Sequence, residues 1–222
     1  TYDDVGRLSS ISRPNGITTT YTYDRDSRLI GISEQGTSIL SSITLTRNGL
    51  GHITSANRNI PLMPDLTPST QTFSYNIANQ ISGYSYDKMG RLTANGTRTY
   101  SWDLALRLTS YTESGNTTTF TYDGFGMRIS KTSGGVTQQY ILNYAFGLPS
   151  ISVVRQGGSD LKYYIHLPGG RLLHSIEASN NTRRFYHFDE MGTTLFLTND
   201  SGTITDSYGI TPYGLITAST GN

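Results

Sequence analysis

Along much of the chain, rings and hydroxyls alternate. Thr20-Tyr21-Thr22-Tyr23 puts both rings on one face of an extended segment, and Phe73-Ser74-Tyr75, Tyr84-Ser85-Tyr86 and Phe120-Thr121-Tyr122 repeat the device. No long segment spaces its apolar residues at helical intervals. An Asp follows most of these segments, and its carboxylate opens a turn by accepting backbone N–H bonds two residues on. Gly6, Gly90 and Gly126 fall where a short hairpin loop needs positive φ. An Arg-Leu stretch then reads as the returning strand. The predicted element is one β-hairpin: aromatic strand, Asp–Gly turn, Leu/Ile strand.

That element recurs. Tyr2-Asp3-Asp4-Val5-Gly6-Arg7-Leu8 returns as Tyr23-Asp24-Arg25-Asp26-Ser27-Arg28-Leu29 and as Tyr86-Asp87-Lys88-Met89-Gly90-Arg91-Leu92. Trp102-Asp103 through Arg107-Leu108 and Tyr122-Asp123 through Gly126-Met127-Arg128 are further copies. Degenerate copies are Arg47-Asn48-Gly49-Leu50-Gly51 and Tyr75-Asn76-Ile77-Ala78-Asn79-Gln80. Recurrence at this spacing marks a repeat array. A lone hairpin is marginal in water, so stability must come from stacking. Arg7, Arg28, Arg91 and Arg107 lie within reach of the Asp of their own turn or of a neighbouring ring. Spacing between copies is uneven, which predicts a curved or spiralling sheet with variable loops. The Pro-containing stretch near 57–70 cannot be a central strand and reads as a loop-like insertion. Residues 1–135 read as one run of repeats. Residues 136–222 read as related repeats continuing the same sheet.

Composition narrows the function. With 222 residues and a net charge of +1, the chain has no basic field to attract nucleic acid or an anionic membrane. It contains no cysteine, so disulfides and thiolate metal sites are excluded. No apolar run is long enough to span a bilayer as a helix. Sixteen tyrosines and 24 glycines argue for strands and tight turns and against disorder. Thr1 reads as the start of an excised fragment, and no leader is visible.

The Tyr-Asp-x-x-Gly-Arg-Leu copies resemble YD repeats, also called Rhs repeats. Five copies and two degenerate ones carry the resemblance over nearly the whole chain. The last third resembles the Rhs-associated core region: Tyr186-His187-Phe188-Asp189-Glu190-Met191-Gly192, then Leu197-Thr198-Asn199-Asp200-Ser201-Gly202, then Tyr208 to Gly214. Tyr163 to Leu173 is similar to the unit that precedes these. Such repeats occur in Rhs polymorphic toxins, shell components of insecticidal toxin complexes, wall-associated proteins and teneurins. The resemblance implies an all-β fold of stacked antiparallel hairpins, curved or spiralling into part of a hollow shell. In the toxins that shell encloses a C-terminal effector, released by a self-cleaving Asp-Pro-x-Gly segment. This chain has no Asp-Pro pair, so self-cleavage transfers to no residue in it.

Catalytic motifs are missing: there is no nucleophile elbow, P-loop or His-Glu-x-x-His. His52, His166, His174 and His187 are scattered and read as ordinary sheet residues, with His187 bonding a neighbouring turn. Asp24 to Ser27 and Asn199 to Gly202 carry oxygen ligands suited to Ca²⁺ but lack the rest of a calcium loop. Asp3, Asp24, Asp87, Asp103, Asp123 and Asp189 share one position in every repeat, which marks turn-formers, since a catalytic acid should occur once. The repeat-defining set is Tyr2, Asp3, Gly6, Arg7, Tyr23, Asp24, Arg28, Tyr86, Asp87, Gly90, Arg91, Trp102, Asp103, Arg107, Tyr122, Asp123, Gly126, Asp189 and Gly192. Tyr84, Tyr100, Trp102 and Tyr111 are candidate stacking platforms for sugars, set against the alternative of inter-repeat packing. No catalytic residue, cofactor or metal is expected.

The first expectation is a non-enzymatic wall segment of a secreted or surface bacterial shell. Its partners are then the rest of the same polypeptide and its C-terminal effector. The alternative is an adhesin module for a cell-surface glycan or protein. Exposed strand edges add edge-to-edge self-association as a third contact.

Overall fold

The computed structural model describes residues 1–67, 70, 72–145 and 147–221. All regular structure among them is β. The strands are β1 (Ser10–Ser12), β2 (Thr18–Tyr23), β3 (Leu29–Gln35), β4 (Ile39–Arg47), β5 (Ile53–Asn59), β6 (Ser85–Tyr86), β7 (Leu92–Ala94), β8 (Arg98–Trp102), β9 (Leu108–Glu113) and β10 (Asn116–Tyr122). They continue as β11 (Arg128–Ser133), β12 (Val136–Asn143), β13 (Ser150–Gln156), β14 (Ser159–His166), β15 (Leu172–Glu177), β16 (Arg183–Phe188), β17 (Thr194–Thr198), β18 (Ile204–Ile210) and β19 (Ile216–Thr220). The expected stacked antiparallel hairpins are therefore present. Phe73-Ser74-Tyr75 departs from expectation: it makes only the isolated bridge Tyr75↔Ile81, because the next repeat begins too soon for a second strand.

The chain forms two compact units. The first comprises residues 1–67, 173–176 and 181–222. In it β1 to β5 form a sheet in chain order, and β16 to β19 are likewise bonded in chain order. The two layers bury Ile32, Ile43 and Leu45 against Leu195 and Phe196, with Tyr21, Leu29, Leu40, Ile60 and Ile204 packed around them. Each such fully buried side chain contributes roughly 1.5–3 kcal/mol. Beyond the end of β5 the chain runs without strand structure from Ile60 and crosses β18 at Gly209. A Cβ there would stand 2.8 Å from Met63 O and 2.9 Å from Pro64 Cα, so glycine is required by close approach. Of the expected insertion near 57–70, residues 57–59 finish β5, while Pro68 and Ser69 lie outside the described residues.

The second unit, residues 68–172 and 177–180, is built differently. Strands β6 to β14 are hydrogen-bonded in chain order. Among its described residues no apolar side chain is buried; only Thr118 and Ser130 are. Its cohesion comes from cross-strand pairs and from contacts between one repeat and the next.

Candidate functional site

The recurring turn is one structure. At 3–7 the N–H of Asp3 donates to the carbonyl of Arg7 at 2.9 Å, and the N–H of Gly6 donates to that of Asp3 at 2.9 Å. The same closure occurs at 13–17, 24–28, 48–52, 76–80, 87–91, 103–107, 123–127, 167–171, 189–193, 199–203 and 211–215. The 13–17 copy, opened by Arg13 and not Asp, escapes sequence reading. The fourth residue has positive φ in every copy, as a three-residue loop with a bulge requires. It is glycine in most, but Ser27 (63°), Asn79 (59°) and Leu106 (66°) also adopt it.

Asp3, Asp24, Asp87 and Asp103 are each consumed by their own turn. Asp103 Oδ1 accepts the N–H groups of Ala105 and Arg107, both at 2.9 Å, while Oδ2 accepts Arg107 Nε at 2.7 Å. Asp3–Arg7 (2.6 Å), Asp24–Arg28 (2.8 Å) and Asp87–Arg91 (2.6 Å) repeat this ion pair. At Asp24 and Asp103 the backbone bond to the turn arginine leads in holding the carboxyl below its ordinary range. At Asp3 and Asp87 desolvation is the largest influence and opposes ionisation, but the backbone and guanidinium bonds together outweigh it. Asp189 Oδ1 holds the N–H groups of Met191 and Thr193, and Gly192 takes the positive φ.

The arginine then reaches the next repeat. Arg7 Nη1 donates to the carbonyl of Asp24 at 3.3 Å, Arg91 Nη1 to that of Asp103 at 2.7 Å, and Arg107 Nη1 to that of Asp123 at 3.2 Å. The same guanidinium groups lie over the next ring: Arg7 on Tyr23, Arg91 on Trp102, Arg107 on Tyr122. The ring returns a bond to the carbonyl after the arginine: Tyr23 Oη to Leu8, Trp102 Nε1 to Leu92, Tyr122 Oη to Leu108. Degenerate copies substitute parts. Arg47, in the ring position, donates to the carbonyl of Leu29. Asn76 and Gln80 pair by their amides at 3.0 Å. Asp123, facing Met127 in the arginine position, accepts from Tyr144 Oη.

Of the candidate stacking rings, Trp102 belongs to this lattice. Tyr84, Tyr100, Trp102 and Tyr111 are half-buried. Tyr100 Oη accepts from Asn95 Nδ2 at 3.1 Å, and Tyr111 lies beneath Arg98 and 6.1 Å from Phe120. Tyr86 Oη accepts the N–H of Ile81 at 3.1 Å, whereas Tyr2 is exposed.

A cluster of charged and polar side chains is sealed inside the first unit. Glu34 Oε2 accepts from Thr19 Oγ1 at 2.8 Å and lies 3.4 Å from Arg13 Nη1. His187 Nδ1 is 3.1 Å from the same oxygen, an ion-pair distance whose angle falls outside hydrogen-bond geometry. His187 Nε2 is 2.8 Å from Thr198 Oγ1, and the ring stacks on Phe196 at 4.4 Å. The histidine thus bonds a strand residue beside a turn, where the sequence suggested the turn itself. Burial lowers its pKa, Arg13 adds to the fall, and Glu34 opposes it. Sealed from solvent, the cluster can hold layers together but cannot meet a substrate. Among the described residues no three His, Asp or Glu side chains are grouped to hold a metal.

Each unit has a cleft. In the first, about 570 Å³ is bounded by Ile60, Met63, Leu195, Tyr208 and Ile210, beside the Arg58–Glu190 ion pair. In the second, a groove of about 750 Å³ is lined by Tyr140, Ile151, Val154 and Tyr164, beside the Lys162–Glu177 pair at 2.7 Å.

A family model for the RHS repeat matches residues 2–39 and 102–137. The tRNA3(Ser)-specific nuclease WapA of Bacillus spizizenii is 30% identical over 183 residues, covering 78% of this chain and 7% of that protein. The tRNA nuclease WapA of Bacillus subtilis strain 168 is 27% identical with the same coverage. A crystal structure of TcdB2-TccC3-Cdc42 matches 100% of this chain and 16% of its own, with a TM-score of 0.67 at 15% identity. A Photorhabdus luminescens Tc holotoxin pore matches with a TM-score of 0.68 at 14% identity, again over 100% and 16%. At that identity the likeness concerns the fold, and the chain spans a small part of the length of each relative.

Proposed function

We propose that this chain, a YD-repeat (Rhs-repeat) protein, is a non-enzymatic wall segment of a secreted or surface bacterial shell that encloses or presents a toxin module. The carrying observation is that the turn carboxylates, their arginines and the rings are spent on one another. Arg7, Arg91 and Arg107 in this way hold the next repeat, which is the work of a wall. Residues 136–222 extend that wall with core-type repeats. The relatives named as tRNA nucleases fit a longer polypeptide whose activity resides elsewhere. Two measurements test this. The purified chain should leave tRNA intact, and cleavage by the chain alone would overturn the non-enzymatic reading. In the complete polypeptide the toxin module should resist protease until the repeats are denatured. Digestion at the rate of the free module would remove the enclosing role.

A second reading, a carbohydrate or cell-surface adhesin, rests on the groove between Tyr140 and Tyr164. Rings flanking a polar-edged groove suit a sugar face. The platforms Tyr100, Trp102 and Tyr111 favour it less, because neighbours already engage them, and Tyr84 is half-buried. Glycan-array binding lost in Tyr164→Ala would support this reading, and a blank array would end it.

A further inference from the structure

Asparagine is followed by glycine at three places, Asn15-Gly16, Asn48-Gly49 and Asn95-Gly96. In such a pair no Cβ shields the backbone nitrogen of the second residue from the asparagine side chain. All three pairs lie in tight turns, and what separates them is the side-chain amide. Asn15 is half-buried, and its Nδ2 donates to Thr198 Oγ1 at 3.0 Å and to the carbonyl of Asn199 at 2.9 Å. Asn95 is half-buried as well, and its Nδ2 donates to Tyr100 Oη at 3.1 Å. Asn48 is exposed, and among the described residues its Nδ2 has no partner. Its Oδ1, in contrast, accepts the N–H groups of Leu50 at 3.1 Å and His52 at 3.0 Å. The turn does not itself demand glycine at 49. Gly49 avoids positive φ, a Cβ there would meet nothing within 4 Å, and equivalent copies carry Asp4, Arg25, Ile77, Lys88 and Leu104.

We propose that Asn48 is a site of spontaneous covalent modification, in which the Gly49 nitrogen attacks Asn48 Cγ and expels ammonia. The N–Cγ bond forms, the Cγ–Nδ2 bond breaks, and the proton lost by the Gly49 nitrogen leaves with the ammonia. Water then opens the cyclic imide at one carbonyl or the other, giving aspartate or isoaspartate at position 48. The two N–H groups on Oδ1 stand where negative charge gathers as Cγ becomes tetrahedral. The unbonded Nδ2 is free to depart, whereas at Asn15 and Asn95 a bond must break first. The aspartate product is the residue that opens the turns at 3–7, 24–28, 87–91 and 103–107. It would arise among cations, since Arg28 lies against Gly51 and Arg47 Nη1 donates to the Gly51 carbonyl at 2.7 Å. Isoaspartate adds a methylene to the main chain and would disrupt the closing bonds between residues 48 and 52. This chemistry lies beyond the wall role and does not depend on it.

The test is peptide mapping by mass spectrometry of the whole folded chain, incubated in mildly alkaline buffer. Conversion at Asn48 should run about fivefold ahead of Asn95, whose amide bond must first break, and further ahead of Asn15. Labelling by isoaspartate methyltransferase should mark the same peptide. Tyr100→Phe should raise conversion at Asn95 and leave that at Asn48 unchanged, which separates control by structure from control by the dipeptide. Gly49→Ala should slow Asn48 severalfold while the Tm holds or rises, because its Cβ enters open space. In urea the three sites should converge on one rate. Equal rates in the folded chain overturn the proposal, as does an Asn48 that keeps its amide while Asn95 or Asn15 converts. Conversion at Asn48 that Gly49→Ala leaves unchanged, or that occurs only in urea, overturns it as well.

Discussion

At the scale of single residues, the turn arginine and aspartate serve two repeats at once. Asp103 satisfies two backbone donors and one guanidinium, so its replacements should grade. Asp103→Asn keeps an acceptor for the backbone and should lower the Tm less than Asp103→Ala, as calorimetry would show. Equal losses would mean that the backbone bonds contribute nothing. Leu106 is the converse case. Relief of left-handed strain is worth about 1–2 kcal/mol, and the added freedom of glycine in the unfolded chain offsets about 0.5–1 kcal/mol of it. Leu106→Gly should therefore gain up to about 1 kcal/mol in chemical denaturation. The buried pair behaves differently again. Glu34→Gln leaves Arg13 charged beside a neutral amide and should cost about 3–5 kcal/mol, whereas Arg13→Met with Glu34→Leu should come close to neutral. A loss under about 1 kcal/mol for Glu34→Gln would show that water reaches the site.

At the scale of elements, β16 joins the pH response to the core. His187 is harder to protonate folded than unfolded, where its pKa is near 6.5. The folded state then binds fewer protons, so stability should fall as the pH drops below about 6.5. The turn carboxylates shift in the same direction, in a lower pH range. Their folded pKa lies below the ordinary 3.8, so their contribution persists above that value and is lost as the pH falls through the lower folded value. Two limbs should appear in the pH–stability profile; His166 and His174, also held low by burial, share the upper one, so His187→Asn should shrink that limb and leave the lower one unchanged. A profile flat between pH 7 and 5 would refute the histidine limb. Strand β18 offers an independent check. Gly209→Ala drives a Cβ into the backbone of Met63 and Pro64 and should cost about 1–3 kcal/mol, with faster hydrogen exchange at 60–66.

At the scale of the whole molecule, the two units draw on different sources of stability. The fully buried apolar residues among those described all belong to the first, including Ile32, Ile43, Phe185 and Phe196. The second relies on ladders, ion pairs and ring contacts that remain half open to water. Opening free energies should follow that division. Hydrogen exchange should be slowest in β3, β4, β16 and β17 and measurably faster across β6 to β12. Equal protection in both sets would mean that ring and guanidinium packing rivals an apolar core.

Local chemistry dictates much of this. An alternating ring pattern, an Asp, a residue able to take positive φ and a following Arg suffice to specify each hairpin, because turn and strand preferences act over a few residues. The ion pairs at Asp3, Asp24, Asp87 and Asp103 were legible for the same reason, since their partners stand four residues away. The lattice of Arg on ring was visible only as one of two options, because it requires knowing that successive hairpins stack. Nothing local announces the turn opened by Arg13, the tolerance of Leu106 for left-handed backbone, or the union of Arg13, Glu34 and His187. Those residues are far apart in the chain, and only the packing of two layers in the first unit brings them together. Packing also settles which repeats own a core, because burial belongs to the face that another layer covers and not to the repeat.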